Sequence, residues 1–122
     1  MTNQSFRKHE RKVAVRRLRE SDFEDVLRVQ KEVLQSISPW TLEQFVSQIR
    51  TFAAGQIGVE MGGRLVAASS SLLVSDDTAK SAHDFDEITD EGYIRNHDEK
   101  GEYLYGIDIV ILPEFQGLKF AR

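Results

Sequence analysis

Residues 101–122 read GEYLYGIDIVILPEFQGLKFAR, and this stretch decides the fold. Positions 104–112 run almost without a break through apolar and β-branched residues, which predicts a strand buried on both faces. Pro113 brings no N–H to a ladder and ends it. Gln116 and Gly117 follow as a polar turn, and residues 118–122 contain good helix formers, so the order is strand, tight turn, helix start. The first turn of a helix leaves backbone N–H groups unpaired, with the positive end of the helix dipole behind them. That arrangement suits a pyrophosphate.

Upstream, residues 13–19 alternate Val13, Val15 and Leu18 with Arg16, Arg17 and Arg19 and predict a first strand. Ser21 and Glu24 have capping-box spacing, opening a helix over 22–35 whose stripe includes Phe23, Val26, Val33 and Ile37. Thr41 and Gln44 form a second box for a helix over 42–52. Trp40 and Phe45 take the staple positions there, and Trp40 is alternatively a wall of a substrate pocket. Strands over 56–61 and 64–74 flank Gly62-Gly63, which supplies the positive-φ pair of a tight hairpin. The serines at 69–71 lack a G-x-S-x-G elbow, so a serine nucleophile is not the reading. Residues 75–100 form a long acidic insertion with a short helix over 83–90. It reads either as a segment facing a cationic acceptor or as a solvated loop. Its aspartates fail the spacing of a calcium loop, and no metal site is expected.

The diphosphate turn and the element order together resemble the GNAT N-acetyltransferase superfamily. Its motif is a strand ending in V-x-P, then Q/R-x-x-G-x-G/A opening a helix. Here Gln116 takes the Q/R place, Ala121 the final small-residue place, and Lys119 stands where the middle glycine belongs, either crowding the cofactor or pairing with a phosphate. The resemblance implies an α/β (α+β) mixed sheet of order β-α-α-β-β-(acidic insertion)-β-α, with the C-terminal part of the fold absent. It implies acetyl-CoA as co-substrate, with Ile111 or Leu112 polarising the thioester carbonyl and Gln116, Gly117, Leu118, Lys119, Phe120 and Ala121 at the diphosphate. Thr89, Gly92, His97, Gly101 and residues 104–106 also resemble the acetyltransferase-like N-terminal domain of bacterial proteins that continue into a nitrilase-type carbon–nitrogen hydrolase.

For catalysis the candidates are Asp108, the only carboxylate on the last strand, and Tyr105, which stands where many relatives carry a glutamate. Alternation puts these two on opposite faces unless a bulge intervenes. Asp108 reads equally as a general base raised by desolvation or as a structural carboxylate; His97 is a weaker base candidate. The expected function is transfer of an acetyl group to a small-molecule or peptide amine. The alternative is a non-catalytic acyl-CoA-binding or interaction module regulating a fused hydrolase.

Composition sets the bounds. At 122 residues with net charge −4 the chain holds one domain, short for this family, and reads as a fragment inactive alone. Residues 1–12 are expected to be a disordered basic leader, ahead of a domain portion over 13–122. No nucleic-acid affinity follows from the acidic balance. Without cysteine there is neither a disulfide nor a thiol nucleophile. No 18-residue apolar run and no signal-peptide core are present, so the expectation is a cytoplasmic protein away from membranes. An uncovered apolar strand would favour a homodimer.

Overall fold

The computed structural model describes residues 12–81 and 84–116. The basic leader apart from Lys12, His83, and the turn candidates Gly117, Leu118, Lys119, Phe120 and Ala121, where a helix start is expected from the sequence, lie outside the described residues.

Strand β1 (Val13–Arg17) is followed by helices α1 (Phe23–Val33) and α2 (Leu42–Thr51), then the hairpin of β2 (Ile57–Met61) and β3 (Arg64–Val74). Two short helices, α3 (Asp76–Lys80) and α4 (Phe85–Thr89), occupy the acidic segment before β4 (Tyr103–Ile111). The sheet is antiparallel with order β1-β2-β3-β4. This is the mixed α/β order expected from the sequence.

Local chemistry accounts for much of it. Gly62 and Gly63 turn the hairpin at φ 62° and 81°, values that cost other residues steric energy. At α2, Thr41 Oγ1 accepts the Gln44 N–H while Gln44 Oε1 accepts the Thr41 N–H, as a capping box requires. At α1 the expected Ser21 box is replaced. Asp22 accepts the Arg19 N–H at 2.7 Å and two guanidinium N–H groups of Arg16 at 2.8 and 2.9 Å. A charged fork from the neighbouring strand outcompetes a hydroxyl cap, and the helix proper starts at Phe23.

α1 and α2 lay Val26, Val29 and Phe45 on Val66, Ala68 and Val110 of the sheet and on Leu18 and Leu112 just past the ends of β1 and β4. Each of the valine, leucine and phenylalanine side chains contributes about 1.5–3 kcal/mol when fully buried. The other face of the sheet leaves Val13, Val15, Leu104 and Ile109 exposed. β4 is therefore not buried on both faces as its composition suggests: it is the outer strand of the described sheet, and the described helices cover one side of it. No helix among the described residues is long and apolar enough to cross a membrane.

Candidate functional site

The register of β3 with β4 shifts where Ser70 faces Asp108 but Ser71 faces Gly106, leaving Ile107 as an extra residue. Such a bulge resets the alternation of side chains. Tyr105, opposite Leu72, and Asp108, opposite Ser70, therefore share the face that α1 and α2 cover. Regular alternation would have parted them.

Asp108 is half-buried at the base of a cavity lined by Leu18, Phe45, Val110 and Trp40. Burial pushes its carboxyl up to about 6, against the opposing pull of a Gln30 side-chain hydrogen bond and a Ser70 backbone hydrogen bond. Gln30 Nε2 stands 3.4 Å from Oδ2. The carboxylate also borders a groove on the open side of β4, beside Gly106 and Ile109. Of the two catalytic candidates on β4, geometry thus equips Asp108 as the base. Tyr105 packs against Leu72 and Ile88 in a second apolar cluster.

The end of β4 separates the cofactor candidates. Leu112 donates its N–H to Val66 O at 2.9 Å, so that donor is spent on the ladder, which corrects its expected part in polarising a thioester. Ile111, opposite Ala67, lies one residue out of phase. Its backbone groups point to the open edge, where its carbonyl accepts Gln116 Nε2 at 2.8 Å. Gln116 also donates its own N–H to Pro113 O at 3.2 Å. Its side chain and amide close the 3-10 turn after Pro113 instead of standing ready for a ligand, a second correction. The remaining diphosphate candidates lie outside the described residues.

The acidic segment is anchored rather than solvated. Ile88 and Ile94 are buried against Leu72 and Val74. Three side chains of α2, Gln44, Ser47 and Gln48, donate to the carbonyls of Glu91, Tyr93 and Gly92 at 2.7, 2.7 and 2.8 Å. His97, a base candidate in sequence, is a structural pin. Its Nδ1 accepts the Leu73 N–H at 3.0 Å, its ring stacks on Phe52 at 4.2 Å, and Nε2 meets Glu99 at 2.9 Å. The serines are engaged too: Ser70 Oγ donates to Gln56 Oε1 at 2.5 Å and Ser71 Oγ to Gly55 O at 3.0 Å. Trp40 stacks on Phe85 of α4 with ring centroids 6.5 Å apart, while Phe45 pairs with Phe23. The Trp40–Phe85 stack carries Asp84, Asp86 and Glu87 beside it in sequence, all exposed. No group of three His, Cys, Asp or Glu among the described residues is arranged to hold a metal ion.

Sequence reading missed Gln30, although a signal was present: it interrupts the apolar stripe between Val26 and Val33. Gln48 and Gln56, each 1–2% exposed, carry the same mark of a polar residue at a core position.

No protein-family model matches the chain. It is 32% identical over 113 residues to the probable hydrolase YhcX of Bacillus subtilis (strain 168), covering 93% of this chain and 22% of that protein. It is 30% identical over 114 residues to the uncharacterised N-acetyltransferase YkwB of the same organism, covering 90% of this chain and 50% of the relative. The chain thus spans half or less of the curated relatives it matches. Among solved structures, the loading GNATL domain of CurA from Lyngbya majuscula superposes with TM-score 0.74 at 17% identity, over 89% of this chain and 52% of that one. The GphF GNAT-like decarboxylase in complex with isobutyryl-CoA gives 0.74 at 16% identity, over 88% and 52%. With its strand order, its helices on one face and these two superpositions in agreement, the chain has the GNAT-like fold.

Proposed function

We propose that the protein is part of an acyl-CoA-dependent N-acyltransferase that moves an acetyl group from acetyl-CoA to an amine. The observation that carries this reading is Asp108: a carboxylate with its pKa raised to about 6, set on β4 three pairs from Ile111, whose backbone groups point to the open edge. A base in that range is ionised at neutral pH and still accepts a proton effectively. Its part is to take the proton the amine must lose, directly or through one water, as nitrogen bonds to the acyl carbon and the carbon–sulfur bond breaks. The Ile111 N–H polarises the acyl oxygen at the open edge of β4. Edge backbone groups suit an extended amide-bearing arm, and the diphosphate is assigned to residues 117–121. Co-substrate binding supplies the activated acyl group; holding the two reactants together supplies much of the rate. The exposed carboxylates beside Phe85 favour a cationic acceptor approaching over Trp40.

The test is coenzyme A release by the full-length polypeptide with a panel of amines. Release with at least one amine, lost in Asp108→Asn, is expected; no release with any acceptor overturns the reading.

One observation favours a second reading. The hydrolase relative is matched over only 22% of its length, as expected of an acyl-CoA-sensing or interaction module that regulates a fused hydrolase domain. Heat of acyl-CoA binding by calorimetry, with no coenzyme A released, would select the sensor over the enzyme.

A further inference from the structure

Gln30 sits where packing alone would place an apolar side chain, and it is 2% exposed. A buried carboxamide is stable only with both ends bonded. Its Oε1 accepts the Trp40 backbone N–H at 2.9 Å, and its Nε2 faces Asp108 Oδ2 at 3.4 Å. The Trp40 N–H can only donate, so it fixes which end of the amide meets the carboxylate. One side chain thus joins the segment between α1 and α2 to the acid on β4, although no ladder links them.

We propose that Gln30 is a positioning residue, aiming the Asp108 carboxylate and tying that aim to the placement of the Trp40 segment over the cavity. This rests on reading Asp108 as the base. From the elements packed around it, α1, α2, β3, the turn before β2 and the Trp40 segment, the polar residues lining the cavity are Gln30, Gln48, Gln56, Ser69, Ser70 and Trp40. The described lining holds no second carboxylate, histidine, lysine or arginine, so a change in Asp108's titration reports on Gln30 and not on a competing charge.

The experiment is a carbon-13 carboxyl NMR titration of Asp108 in the full chain, wild type against Gln30→Met and Gln30→Glu, alongside the pH profile of coenzyme A release. Methionine keeps the volume and removes the donor; the expected rise in the Asp108 pKa is about half a unit to one unit, with a displaced Trp40 amide resonance. Glutamate keeps an acceptor for Trp40 but sets a second acid beside Asp108. Its titration should become two-step, with a larger rise and the Trp40 resonance near its wild-type position. The acid limb of kcat/KM should move by the same amount. Should Gln30→Met fail to fold, the isosteric Gln30→Glu carries the test. An unmoved Asp108 titration in a folded Gln30→Met, or in Gln30→Glu should the methionine variant not fold, overturns the role of Gln30 and leaves the base reading standing. Full turnover by Asp108→Asn sinks the base reading and leaves the titration result intact.

Discussion

Ionising Asp108 works against folding, because water around the carboxylate is replaced by Phe45, Val110 and Trp40. Its folded pKa of about 6 exceeds the ordinary carboxyl value. The native state therefore holds a proton that the unfolded chain has released, and stability from this group is gained as pH falls through about 6. Asp108→Asn is expected to stabilise the protein at pH 7 by about 1–2 kcal/mol, a gain that shrinks at pH 5, while lowering turnover by roughly 10²-fold or more. Urea melts at the two pH values and the release assay check both halves. Asp22 behaves in the opposite sense. The Arg16 guanidinium holds its carboxyl below the ordinary range, assisted by the Arg19 N–H and opposed by burial. The stability it adds is present above the ordinary carboxyl pKa and is lost as pH falls through the lower folded value. Asp22→Asn should cost about 1–3 kcal/mol at pH 7 by urea denaturation, and the gap to wild type should narrow on acidification.

Elements differ in how far their own residues announce them. The α2 box and the hairpin glycines act on neighbours within three residues, so spacing alone reveals them. Spacing points to a Ser21 box, but the partner that displaces it, Arg16, belongs to β1. The bulge at Ile107 is invisible without the opposing β3, and with it the shared face of Tyr105 and Asp108. The acidic segment looks solvated since it is rich in carboxylates and poor in apolar periodicity; its order comes from its carbonyls, capped by Gln44, Ser47 and Gln48 of α2. Its exit is equally specific. A Cβ on Gly101 would lie 2.6–2.8 Å from the backbone O, C and N of Val74. Gly101→Ala should separate this exit from the end of β3, costing about 1–3 kcal/mol, measurable as a lowered thermal midpoint with the acidic segment exchanging its amides faster.

At the scale of the molecule the sheet has one helix-covered face and one that shows Val13, Val15, Leu104 and Ile109. Of the two edge strands of the described sheet, β1 and β4, the longer is the nine-residue β4. Long apolar edges recruit further strands. We expect concentration-dependent self-association in light scattering, reduced by Ile109→Lys; a monomer at high concentration would count against it.

The surplus residue of β4 has a genetic corollary. Dropping Ile107 leaves Gly106 and Asp108 opposite their present partners, so the acid stays beneath Trp40. Dropping Ile109 removes the bulge by sliding Asp108 opposite Ser69 and Ile107 opposite Ser70, which turns the acid out onto the bare side. The two deletants have identical mass and composition, yet one is expected to preserve the chemistry and the other to abolish it.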